Sequence, residues 1–300
     1  MAEATPGPRL LVPPRRDIRK PRLVPPPGAC DTHFHIYFPE TEFPLRTDRR
    51  YTPVDATLGD YRRTMSALGL SRGVVVTGAA NRDNEPTLAA IARMGGAFKG
   101  VALVGQDVSD RELARLNGGG MTAFRVSTVS VGGLSPAHIA PLARRVADLG
   151  WHVEVHVHKT QDIIDLLPIL ESLPIPYCLD HLAQLTPREP IDGKLFGAIR
   201  DLLARDERCY VNLYGFYHVS RTGPPDYADL VPVARALIEA RPEGVVWGSN
   251  WPHSSFDVAP PDEADLLDLL LAAAPDPRLQ RLILADNPAR LYGWPVAGRD

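Results

Sequence analysis

Cysteine is scarce in this 300-residue chain, and its three cysteines, Cys30, Cys178 and Cys209, are an odd set placed far apart. That excludes a disulfide-stapled scaffold and fits buried thiols in a reducing compartment. Long apolar runs are missing as well. No stretch reaches the ~20 residues of a membrane helix, and the proline-rich start holds no signal-peptide core. Positive charge is not in excess, with 33 Lys plus Arg against 36 Asp plus Glu, so no field draws nucleic acid or an anionic membrane. A glycine-rich turn after the first strand-like run is also absent, which argues against an open nucleotide-binding sheet. The Gly118-Gly119-Gly120 run reads instead as a helix end and loop. What remains is a cytoplasmic protein whose partner is a small molecule.

The composition, 44% hydrophobic, is enough for a full core. Eight of the prolines fall in residues 1–27, an extended N-terminal arm. From Gly28 onward, short Val- and Leu-rich runs alternate with segments of helical period, the pattern of repeated βα units. Eight runs are present: Cys30–Phe38, Gly73–Thr77, Gly100–Val104, Ala123–Ser127, His152–Val157, Tyr177–Leu182, Tyr210–Leu213 and Val245–Ser249. Helices are expected between them, among them Ser135–Leu149 with Ser135 as cap and Pro136 in the first turn, Gln161–Leu170 and Asp226–Ala240. Eight strands each followed by a helix close a barrel, so residues 28–295 are expected to form one α/β domain, a (β/α)8 TIM barrel. The many apolar helix positions and the arm are compatible with a homo-oligomer.

Histidine placement carries the chemistry. The first run ends Asp31-Thr32-His33-Phe34-His35, and strand alternation puts His33 and His35 on one face with Phe34 on the other. Paired imidazoles at the C-terminal end of a barrel strand are costly to bury without a task, although a satisfied core pair is the bland alternative. In the fifth run, valines alternate with His152, Glu154, His156 and His158, so one face is apolar and the other polar. His156 and His158 lie toward the open end, and His152 with Glu154 is expected to form a buried pair lower down. The sixth run ends in Asp180-His181, which could equally cap a helix, and the eighth in Ser249-Asn250-Trp251-Pro252-His253, where small and polar residues replace the aliphatic run.

With Phe43-Pro44 through Tyr51-Thr52-Pro53, Asp83-Asn84, Phe124-Arg125, Gly223-Pro224-Pro225 and Asn287-Pro288-Ala289-Arg290-Leu291-Tyr292, these motifs resemble the amidohydrolase-related, metal-dependent-hydrolase-like TIM-barrel family, in particular its pyrone-dicarboxylate and sugar-lactone branch. The resemblance implies that His33, His35 and His181 surround a lactone carbonyl and that Tyr51 and Arg125 bind substrate oxygens. It also implies a last-strand aspartate as base, and here that position is Asn250. An amide has no useful basicity near neutral pH. Three outcomes follow: a histidine acts as base in a lactone hydrolase; a substrate hydroxyl attacks, giving a lactone isomerase; or the barrel binds without catalysis. A site of Tyr51, Asn84, Arg125, His156, Tyr214 and His253 around the catalytic His33, His35, His181 and Asn250 suits a carboxylated lactone. No cofactor is required on this reading. If a divalent ion such as Zn or Mn is present, His33, His35 and His156 are the expected ligands.

Overall fold

A computed structural model describes residues 8–129, 134–254 and 259–296. Eight strands join in chain order into one parallel sheet. They are β1 Cys30–Phe34, β2 Arg72–Val76, β3 Phe98–Ala102, β4 Met121–Ser127, β5 His152–His156, β6 Tyr177–Leu179, β7 Cys209–Leu213 and β8 Val245–Trp247. Parallel neighbours need crossovers, and helices supply them: α1 Leu58–Leu68, α2 Glu85–Met94, α3 Asp110–Gly118, α4 Ile139–Val146, α5 Thr160–Leu170, α6 Lys194–Arg205 and α7 Val231–Ala240, with α8 Glu263–Ala273 after the last strand. The fold is a (β/α)8 TIM barrel.

The barrel closes where β1 meets the chain leaving β8. Asn250 N donates to the His33 carbonyl at 2.8 Å, and His35 N to the Trp251 carbonyl at 2.7 Å. Gly248 makes this approach possible, because a Cβ there would lie 2.8 Å from that of His33. Asp31 ties the seam together, accepting from Ser249 N at 2.9 Å, Ser249 Oγ at 2.5 Å, Tyr61 Oη at 3.0 Å and His33 N at 3.1 Å. Burial still pushes its carboxyl up to about 6, against those bonds. Phe34 points outward and stacks on Tyr61 of α1 with ring centroids 3.6 Å apart, so His33 and His35 are left facing the barrel interior.

The arm is docked rather than loose. Arg9–Leu10 pairs in parallel with Tyr51–Thr52. Further on, Arg19 Nη2 lies 2.6 Å from Asp265 and 2.7 Å from Asp268 of α8, and Leu23 N donates to Asp268 at 2.8 Å. Those bonds allow α8 to be buried at Asp265 and Asp268, since each of these carboxylates meets a guanidinium or an amide of the arm.

Several local expectations shift. The Ser135–Leu149 segment opens as a 3-10 turn at Pro136–His138, becomes helical at Ile139–Val146 and ends as a second 3-10 turn, and the Ser135 side chain makes no cap bond. The helix expected from Asp226 starts at Val231, after a short turn at Ala228–Leu230. Helix α3 ends at Gly118 with Gly119 as its cap. Cys30, Cys178 and Cys209 are free and buried. No helix among the described residues is long and apolar enough to cross a membrane.

Candidate active site

The C-terminal ends of the strands bring the histidines together. His33 and His35 come from β1, Arg125 from β4, and Glu154 and His156 from β5; Asp180 and His181 follow β6, Tyr214 follows β7 and Asn250 follows β8. Gly215 lets His181 into this ring. It sits at φ +77°, and a Cβ on it would be 2.6 Å from His181 Cδ2.

A cavity of about 390 Å³ opens at this end of the barrel. Of the expected site residues, His35, Tyr51, Arg125, His156, His181 and Asn250 line it. His33 and Tyr214 lie packed against these residues, stacked on one another at 4.2 Å, with His33 edge-on to His35 at 5.1 Å and Tyr214 against His181 at 4.2 Å. Two expected residues are engaged elsewhere. Asn84 accepts from Thr77 Oγ1 and Leu103 N and donates to the Leu103 carbonyl, each at 2.9 Å, locking β2 to the end of β3. His253 Nε2 lies 3.1 Å from Glu263 Oε1 at the start of α8. The lining also includes Arg50, which is absent from the expected set. Arg50 stood next to Tyr51 in a recognised segment, but nothing in its spacing says that its side chain turns toward the barrel.

Electrostatics keep His33, His35, His156 and His181 neutral. Burial, with the Arg125 charge adding to it, lowers His35 to about 4 and holds His33, His156 and His181 well below the usual imidazole range. A neutral His35 must carry its proton on Nδ1, which meets the Val76 carbonyl at 2.8 Å, so Nε2 keeps a free lone pair. His156 Nδ1 is 3.0 Å from Ser127 Oγ. Burial opposes the Arg125 cation, but Asp180, Tyr214 and Glu154 together outweigh it and the guanidinium stays charged. Arg125 Nε and Nη2 donate to Asp180 Oδ2 at 3.0 and 2.7 Å, and Nη2 reaches Tyr214 Oη at 3.3 Å.

Beside that pair is an unsatisfied cluster. Ligand atoms of His33, Glu154 and Asp180 all lie within 4.8 Å of one another, with His33 Nδ1 3.7 Å from Glu154 Oε2. Both His33 ring nitrogens, Glu154 Oε2 and Asp180 Oδ1 are buried without a hydrogen-bond partner. Burial and the nearby Asp180 charge push Glu154 well above the carboxylate range. The expected His152–Glu154 pair is not formed, because Tyr292 intervenes: its hydroxyl donates to Glu154 Oε1 at 2.9 Å, and its ring meets His152 edge-on at 4.8 Å. The trio spaced for an ion is therefore His33, Glu154 and Asp180, whereas the sequence suggested His33, His35 and His156, two of which have a ring nitrogen committed to other partners.

An amidohydrolase family model matches residues 30–294. The chain belongs to this family. Among amidohydrolase relatives, it is 36% identical to a 4-sulfomuconolactone hydrolase of Hydrogenophaga intermedia, covering 95% of both chains. It is 32% identical to a 2-pyrone-4,6-dicarboxylate hydrolase of Comamonas testosteroni, covering 92% of this chain and 93% of that one. A D-galactarolactone isomerase of Agrobacterium fabrum is 31% identical, with 89% and 91% covered. The apo structure of an Agrobacterium tumefaciens protein, 30% identical, superposes with a TM-score of 0.84 over 92% of this chain and 98% of that one. In this amidohydrolase the last-strand position is an amide. Asn250 Nδ2 donates to Tyr217 Oη at 2.7 Å, and Tyr217 is a residue the sequence did not single out.

Proposed function

We propose that this amidohydrolase opens the ring of a carboxylated lactone by hydrolysis, with His35 as the general base. The observation that carries this reading is the lone pair of His35 Nε2, on a neutral imidazole oriented by the Val76 carbonyl and lining a cavity whose described walls hold no carboxylate. In the proposed reaction, water attacks the lactone carbonyl carbon as its proton passes to His35. Arg125 holds the substrate carboxylate or the developing oxyanion, with Tyr51, His156 and His181 placing the ring. The C–O ring bond then breaks, and the leaving oxygen takes the proton back from His35, giving a hydroxy acid. Asn250 and Tyr214 act by position, Asn250 through the hydrogen bond to Tyr217. Relatives named as lactone hydrolases support the reaction class.

One observation favours a second reading. An amide at position 250 cannot deprotonate water, and one relative is named a D-galactarolactone isomerase. In that case a substrate hydroxyl attacks the carbonyl, and one ring closes as the other opens.

The buried His33, Glu154 and Asp180 atoms fit a divalent ion such as Zn or Mn in donor type and number, and they would be its ligands. Bound there, it would supply positive charge near His35 and Arg125. The reaction proposed here needs no such ion. An Arg125 guanidinium already satisfies Asp180 Oδ2 and delivers charge to the site.

Proton NMR of the protein with aldonic, aldaric and pyrone-carboxylate lactones in H2¹⁸O tests both readings. A ring-opened acid carrying ¹⁸O supports hydrolysis. A rearranged lactone without ¹⁸O supports isomerisation, and no conversion of any of these compounds would remove both.

A further inference from the structure

Arg125 is the cation that the strands build into the site, but its charge is largely answered by Asp180 through two hydrogen bonds. A second guanidinium lines the same cavity at its exposed rim. Arg50 Nη1 donates to the Val129 carbonyl, beyond the end of β4, at 3.0 Å, and no carboxylate among the described residues pairs with it. Its backbone is held too. Arg9 N donates to the Arg50 carbonyl at 3.2 Å, and the next residue, Tyr51, pairs with Arg9 in the short parallel sheet, with its hydroxyl 2.8 Å from that of Tyr37. The docked arm thus holds in place a segment that would otherwise be a free loop.

We infer that Arg50 is a specificity-determining residue that binds a second anionic group on the substrate, so that the preferred lactone is a dianion with one acid near Arg125 and another at the rim. The inference rests on the lactone reading for its chemistry. The cavity itself supplies the rest: two guanidiniums at different depths and no carboxylate among its described lining residues. A monoanion would leave the rim cation without a partner in the complex. A planar guanidinium with free donors is suited to carboxylate or sulfonate oxygens, and at a rim its contribution is electrostatic and screened by salt.

Calorimetry with inert ring acids tests this. Isophthalate and benzoate share one ring and differ by one carboxylate. Wild type is expected to bind isophthalate at least tenfold more tightly than benzoate in low salt, and to lose most of that preference in high salt. Arg50→Gln is expected to weaken isophthalate about tenfold and to leave benzoate within twofold, and Arg50→Lys to keep part of the preference. Equal affinity of wild type for both acids, failure to bind isophthalate, or an equal loss for both acids in Arg50→Gln overturns the inference. Arg50 is exposed, so its replacement leaves the barrel intact. Neither acid reacts, so the two readings fail separately. Lactone turnover without a dianion preference removes only the Arg50 assignment, and the preference without turnover removes only the reaction.

Discussion

Two buried carboxylate sites lie within the same barrel and differ in how completely they are satisfied. Asp31 receives four hydrogen bonds, two of them from Ser249 across the seam that closes the barrel. Glu154 and Asp180 each keep one oxygen without a partner, beside a His33 ring that has none on either nitrogen. Buried polar atoms left unpaired cost free energy, so a fold tolerates them where something else depends on them. The seam uses its carboxylate to hold strands together, and the cluster leaves two carboxylate oxygens unpaired beside the cavity.

That contrast predicts opposite consequences. Asp31→Ala strands four donors, at roughly 1 kcal/mol each, and is expected to lower unfolding free energy by about 4 kcal/mol in urea titrations. Glu154→Gln removes a group that burial already disfavours as a charge. It is expected to change stability by less than about 1 kcal/mol and, because the proposed reaction passes no proton through Glu154, to lower turnover less than loss of the His35 base does. A Glu154→Gln protein as destabilised as Asp31→Ala would abolish the distinction.

His35→Gln sharpens it from the cavity side. Loss of the base is expected to reduce kcat by about 10²-fold with KM little changed. The pH profile follows from the same imidazole. His35 is lowered to about 4, so its neutral form persists in mildly acidic solution, and kcat/KM is expected to stay level down to about pH 5 and to fall near pH 4. An acid limb near 6.5 would mean that a solvated histidine is the base instead.

The last effect concerns His152, at the start of β5 and away from the cavity. Its folded pKa is lowered to about 3, so below the unfolded value near 6.5 the unfolded chain takes up a proton that the folded one refuses. Stability is therefore full above pH 6.5 and declines as pH falls toward 3, by roughly 1.4 kcal/mol per pH unit for this one group. Chemical denaturation of His152→Phe between pH 7 and 4 is expected to show a slope shallower by that amount. An unchanged slope would show that His152 is protonated, and so partnered, in the folded protein.

Much of this was legible in the residues. The eight βα units follow from the alternation of Val-rich runs with helical period, because strand and helix place apolar residues at different intervals. The inward direction of His33, His35 and His156 follows from strand alternation, which requires only local backbone geometry. The arrival of His181, Arg125 and Asn250 at the same rim follows once strand ends share one face of a barrel.

Contacts between elements far apart in the chain were not legible. Asn84 and His253 looked like site residues because they stand near the right strand ends, yet their hydrogen bonds go to Leu103 and Glu263. His152 and Glu154 looked like a pair, and Tyr292, 138 residues beyond Glu154, took the bond. Arg50 reaches the cavity because an arm strand and the Val129 carbonyl hold it there, and neither contact leaves a periodic trace. By itself the sequence determined which element each residue joins and which face it occupies, since propensity and alternation are local. Only the tertiary structure decided which polar atoms find partners and which stay unpaired in the site, because that depends on distances set by the closure of the whole barrel.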